Sequence, residues 1–140
     1  MPCTNVAATV RAVNPEAEGK RYPDAVFVVE PEGVAAFRDV FGQSRGMPPT
    51  FLAVAEFKVM PTVIDDPALG LDFPRVLHGA QEYELIRPVR EGETLTVRAH
   101  LDSIKVRAGT GFLVIVMELF DGSGEAVART RSTMIERSAQ

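Results

Sequence analysis

The sequence predicts an α+β domain, an antiparallel sheet of about five strands wrapped around a central apolar helix. Three observations carry that expectation. Residues 49–64, PTFLAVAEFKVMPTVI, are apolar on nearly every side, with Glu56 and Lys58 the only charged positions. A helix of that kind has to be enclosed. From residue 75 onward the pattern changes to period 2 and keeps it, which is the mark of strands. Between those runs stand Glu91-Gly92, Ala108-Gly109 and Asp121-Gly122-Ser123-Gly124, the residue types that close antiparallel turns.

Size and composition set the frame for these elements. At 140 residues, 46% apolar and 24% charged, the chain has the make-up of one globular domain with a full core. We divide it into an extension, 1–22, and a single domain, 23–140. A net charge of −4 and a pI near 5.2, with no extended basic cluster, argue against a nucleic-acid surface. The single cysteine, Cys3, excludes an internal disulfide framework and a cysteine-based zinc set. The opening residues lack the apolar core of a signal peptide, and residues 49–64 are too few to cross a bilayer. A cytoplasmic protein is expected, with no membrane partner and no metal or cofactor of its own.

In chain order, residues 1–22 carry Pro15 and Gly19 without a clear period and read as a loosely packed extension. Ala25 to Glu30, AVFVVE, is β-branched and aromatic, a first strand. A helix follows at once: Pro31 suits its first turn, Glu32 complements its positive end, and Gly42 offers the left-handed cap. Val34, Phe37 and Phe41 stripe one face of it. The apolar run comes next, with Thr50 as N-cap and Pro61 ending a helix of roughly three turns. The segment 65–74, DDPALGLDFP, reads as a loop in which Asp65 and Asp66 belong to a solvated turn.

Residues 75–86, RVLHGAQEYELI, form a long strand with Gly79 at a bulge and Leu77, Tyr83 and Leu85 on one face. RPVREGE then turns the chain. Residues 94–105 alternate cleanly, Leu95, Val97, Ala99 and Leu101 inward against Thr94, Thr96, Arg98, His100 and Asp102 outward. Phe112 to Phe120 is apolar on both faces, as in a central strand or one at a subunit contact. The strand 126–136 closes the meander.

Three segments carry a family resemblance: PPTF at Pro48–Phe51, VLHGAQEYELIRPVREGETLTV at Val76–Val97, and FLVIVMELFDGSGEAVARTRSTMI at Phe112–Ile135. With them the chain resembles the hot-dog fold and, within it, the FAS1-like dehydratase domain found at the N-terminus of MaoC-like dehydratases. The resemblance implies a sheet curled around the helix and two such units paired edge to edge. It implies an acyl thioester of coenzyme A or acyl carrier protein bound between the units, the acyl chain lying in a tunnel beside the helix. The family chemistry is reversible hydration of a 2-enoyl thioester. It requires an acid–base pair on one water and an N–H donor for the developing enolate oxygen.

Members supply that pair as Asp-x4-His between the first helix and the central one. Here the connection is QSRGMPP, residues 43–49, with neither residue. The resemblance then implies the half of a hydratase, fatty acid metabolism being one setting, that lacks the dyad and contributes tunnel wall, paired with a catalytic hot-dog partner or a second copy. Under this reading no residue is catalytic. Phe51, Val54, Ala55, Phe57, Met60 and Tyr83 are the candidate tunnel wall, and His78 a candidate oxygen contact. His100, on an outward position, reads as solvated. Arg87, Arg90, Lys105 and Arg107 are the cations available to a carrier's phosphates.

Two alternatives stand beside it. A stand-alone acyl-CoA thioesterase would use Glu56 as base or nucleophile, since an unpaired carboxylate among apolar groups resists ionisation. The plainer reading of Glu56 sets it beside Lys58 at an exposed seam or a subunit contact. The other alternative is a non-enzymatic acyl-binding homodimer.

Overall fold

The computed structural model describes residues 11–139, so Cys3 lies outside the described residues. Strand β1, Ala25–Val28, leads directly into helix α1, Pro31–Val40. Pro31 occupies the first turn, Phe41 is the C-cap, and Gly42 follows at φ +67°. Of the striped face, Val34 is buried, and the Phe37 ring meets Phe51 edge-on at 5.5 Å. Phe41 is exposed, its ring tilted against Phe37 at 4.9 Å.

The apolar run is not one helix. It is a 3-10 turn at Pro49–Leu52, then α2, Ala53–Glu56, then α3, Met60–Ile64. A continuous helix would ask Pro61 to donate an N–H to the Phe57 carbonyl, which proline cannot do, and its ring would strike that carbonyl. The chain breaks at residues 57–59 and Pro61 opens α3 instead of ending the run. Thr50 is no N-cap: it is exposed inside the 3-10 turn, which Pro48 precedes. Phe51, Leu52, Ala55, Val59, Met60 and Val63 are buried, while Phe57 is 68% exposed. One side of the run enters the core and the other is left open.

Four further strands complete the sheet: β2 Val76–Leu85, β3 Thr94–Arg107, β4 Thr110–Phe120 and β5 Ala126–Glu136. Their order is β1-β3-β4-β5-β2, antiparallel throughout. β4 is central, which accounts for its two apolar faces. On β3, Leu95, Val97, Ala99 and Leu101 are buried as their alternation predicts, and a bulge after Leu101 then brings Ile104 inward. Ala108 and Gly109, at φ 49° and 76°, make a turn with two left-handed residues, so β4 starts at Thr110, earlier than its apolar run suggests.

The simple meander is corrected. β2 pairs with β5, not with β3, so residues 86–93 cross from one edge of the sheet to β3 on the far side of β4. The crossing is tied down at both ends. Ile86 N–H donates to the Val127 carbonyl, Gly92 N–H to the Val29 carbonyl, and the Arg87 guanidinium bridges the carboxylates of Glu93 and Asp121.

Residues 11–22 are also better held than a loose extension. Val13, Ala17 and Tyr22 are buried in the core, Gly19 N–H donates to the Leu101 carbonyl, and Val13 N–H to Glu136 Oε1. Gly111 makes room for this segment, since a Cβ there would lie 2.4 Å from Val13 Cγ1. Asp66 is not solvated. Its Oδ2 accepts from Lys20 Nζ at 2.6 Å and from the Tyr22 hydroxyl at 2.8 Å, and only Asp65 stays exposed. Burial alone would raise the Asp66 pKa, but the Lys20, Tyr22 and Ala68 hydrogen bonds hold it below the usual carboxylate range. Among the described residues, no helix is long and apolar enough to cross a membrane.

Candidate functional site

The site begins with a parity change. Without interruption, residues 77, 79, 81, 83 and 85 of β2 would share a face. The bulge at Gly79 inserts one residue: His78 pairs with Met134, and the ladder resumes with Ala80 opposite Thr133. His78, Gln81 and Tyr83 therefore point to one side, together with their partners Met134, Ser132 and Thr130. Leu77 is turned to the other face and is separated from Tyr83, against the sequence expectation.

Between that face and the broken apolar run lies a cavity of about 300 Å³, at the lower end of the range for small-molecule sites. Phe57, Met60, Ile64, Phe73, Val76 and Met134 give it apolar walls, and Glu56, His78, Gln81, Tyr83 and Ser132 form one polar corner. Of the residues chosen from sequence, Phe57, Met60, His78 and Tyr83 meet here. Phe51 and Val54 do not. They line a separate hollow of about 400 Å³ against β1, and Ala55 is fully enclosed in the core.

Glu56 is the centre of the polar corner. It is 5% exposed, whereas Lys58 faces away beside β1, so the seam shared by the two is ruled out. One carboxylate oxygen, Oε1, accepts from Thr130 Oγ1 at 2.6 Å and from Gln81 Nε2 at 2.9 Å, and Ser132 Oγ lies 3.3 Å from it. The Gln81 amide oxygen accepts from Ser132 and lies 3.0 Å from His78 Nε2. A carboxylate only accepts, so the Gln81 nitrogen must face Glu56 and its oxygen must face His78. His78 Nε2 is then the protonated nitrogen. Burial, followed by the charge and hydrogen-bonding reach of Glu56, pushes the Tyr83 phenol up to about 12.

Gln81, Thr130 and Ser132 were not singled out from sequence. The signal available was small hydroxyls at alternate positions of β5, in line with Ala128 and Met134, where an inward face would otherwise be apolar. The connection 43–49 carries no acid or imidazole and is tethered by Arg38 Nη1 donating to the Gly46 carbonyl at 3.1 Å. His100 is half-buried, 3.8 Å from Asp102, and takes no part in the cavity. Arg87 is committed to Glu93 and Asp121 rather than free for a phosphate. Asp121 is held well below its usual pKa by the Ser123 hydroxyl and then by Arg87. Among the described residues no group of three or more His, Cys, Asp or Glu is placed to hold a metal ion.

Residues 21–130 match the family model for the FAS1-like dehydratase domain region. A UPF0336 protein of Saccharopolyspora erythraea is 41% identical over 90 residues, which are 64% of this chain and 58% of that one. The chain thus matches little more than half the length of that curated relative. Among solved structures, the C-terminally truncated HadBC (3R-hydroxyacyl-ACP dehydratase) complex of Mycobacterium tuberculosis is similar at TM-score 0.74 and 19% identity, over 85% of this chain and 96% of that one. A MaoC-like dehydratase gives TM-score 0.76 at 20% identity, over 88% of this chain and 43% of that one. The five-stranded antiparallel sheet is the hot-dog fold.

Proposed function

Because the chain belongs to the FAS1-like dehydratase domain family and has the fold of MaoC-like dehydratases, we propose that it is the non-catalytic, substrate-accommodating subunit of a 2-enoyl-thioester hydratase. In the reverse direction that enzyme is a 3-hydroxyacyl dehydratase. One observation carries the reading: an apolar cavity beside the apolar run coexists with a 43–49 connection that has neither Asp nor His. This chain would enclose the acyl group of a coenzyme A or acyl carrier protein thioester, in the cytoplasm and with no cofactor. Phe57, Met60, Ile64 and Phe73 would keep water from the hydrocarbon, which leaves the attacking water to the partner.

The acid–base dyad would come from a hot-dog partner paired along β2. That strand lies at the sheet edge and is exposed along most of its length, and an unpaired edge of this length is a template for another chain. The similar HadBC structure is itself a complex, in keeping with such pairing.

The test gives the purified protein a short 2-enoyl-CoA and follows loss of the conjugated double bond and release of free thiol together. No change with this chain alone, and hydration once a dyad-bearing partner is added, is expected. Hydration by the chain alone would overturn the reading. A second reading, an acyl-CoA thioesterase using Glu56, is favoured by the enclosure of that carboxylate in the cavity wall. Thiol release that is lost in Glu56→Gln would establish it instead.

A further inference from the structure

Gln81 and Tyr83 turn toward the cavity, so Glu82 and Glu84 stand on the outward face of β2, where both are exposed. They end a charge pattern that crosses four strands. Arg98 on β3 is paired with Glu118 on β4, Glu118 with Arg129 on β5, and Arg129 with Glu84 on β2. The sign alternates at every step to the edge. Two residues along, Arg131 stands opposite Glu82, but its Nη1 lies 3.0 Å from Asp102 Oδ2. Arg129 is one cation between two carboxylates. Among the described residues neither Glu82 nor Glu84 enters an ion pair. The row stops on a negative charge where β2 has no neighbour.

Residues directly opposite in an antiparallel pair share a face with Cβ atoms about 5 Å apart, where opposite charges attract and like charges repel. A strand added to β2 therefore meets two carboxylates on its outward face. A second copy of this chain brings the same two. A two-fold pairing centred on residue 82 sets Glu82 against its counterpart, one centred on 83 sets Glu82 against Glu84 twice, and one centred on 81 leaves the two Glu82 side chains on the diagonal.

We propose that Glu82 and Glu84 select the partner at β2: a hot-dog unit whose pairing strand presents Lys or Arg at two alternate outward positions, in preference to a second copy of this chain. The proposal rests on the reading that a partner pairs along β2, and it names what that partner must carry. Exposed Leu77, Leu85 and Ile86 at the same edge attract any such unit alike. The two charges make the choice, by favouring one partner and repelling the other.

Glu82→Lys with Glu84→Lys converts this chain into a partner of the stated kind. Sedimentation of the purified protein, with the wild type fluorescently labelled, measures the dissociation constants of the wild type with itself, of the doubly substituted chain with itself, and of the two mixed. In about 50 mM NaCl the mixed pair should bind about tenfold more tightly than either self-pair, the scale of several cross-strand charge pairs changing sign. In about 1 M NaCl, where the screening length is about 3 Å, the gap should close. Glu82→Gln with Glu84→Gln sets no new cation beside Arg129 and Arg131, and should tighten self-association about threefold even if the lysine variant fails to fold. A wild type that pairs with itself as tightly as the mixture, a gap that salt does not narrow, or no tightening in the glutamine variant would overturn the proposal and leave β2 pairing intact. No association in any sample would overturn both.

Discussion

Glu56 shows how a single side chain can be misjudged from its neighbours in sequence. Lys58 is two residues away and opposite in charge, yet positions two apart on a helical turn do not face each other. The partners of Glu56 are instead Gln81, Thr130 and Ser132, on two strands. Glu56→Ala would leave the buried Thr130 hydroxyl and the Gln81 amide N–H without their charged acceptor. A loss of about 2–3 kcal/mol is expected, the cost of unpairing buried polar groups that had a charged acceptor. Urea unfolding measures it. A loss below about 0.5 kcal/mol, the range of ordinary surface changes, would show that the network does not hold α2 to the sheet.

At the scale of elements, short pieces are made dependable by distant ties. The segment 11–22 has only one turn of 3-10 helix, Pro15–Ala17, yet it is fastened through Lys20 and Tyr22 to Asp66. The pH dependence follows from the direction of the Asp66 shift. Asp66 binds a proton less readily in the folded chain than in the unfolded one. Its contribution is therefore fully present above the ordinary carboxylate pKa, near 4, and is lost as pH falls through the lowered folded value. Between pH 7 and pH 3 the urea midpoint of the wild type should fall further than that of Asp66→Asn. Equal falls would mean that Asp66 is not what acid releases. The parity change at Gly79 acts in the same long-range way, since one inserted residue decides that His78 and Gln81 share the cavity.

For the whole molecule, the informative feature is where apolar surface remains. Leu77, Leu85 and Ile86 along the β2 edge are 51%, 49% and 57% exposed, and Phe57 and Phe73 beside the cavity are 68% and 55% exposed. Together with unpaired backbone on β2 they form one side suited to a second hot-dog unit. By light scattering the protein, or the protein with its partner, should be heavier than the 15.2 kDa chain. Leu85→Lys with Ile86→Lys should return it to that mass with its circular dichroism unchanged. Retention of the assembled mass would place the contact elsewhere.

What the sequence determined by itself was local. The strands of residues 75–136, the bulge at Gly79, the inward row on β3 and the lack of Asp-x4-His can be read from periodicity, turn residues and spacing, because each depends on interactions within a few residues. The motif segments carried the fold family as well. The broken helix is legible in part: Pro61 marks a helix boundary in the sequence, and the chain uses it as a start rather than an end. Only the tertiary structure decided that β2 lies beside β5, and with it the site. Glu56 and Thr130 are 74 residues apart, and neither has a local signature of the other. Strand order is set by which pairing buries the most apolar surface at the least loop cost. That balance belongs to the whole chain and is written in no single stretch of it.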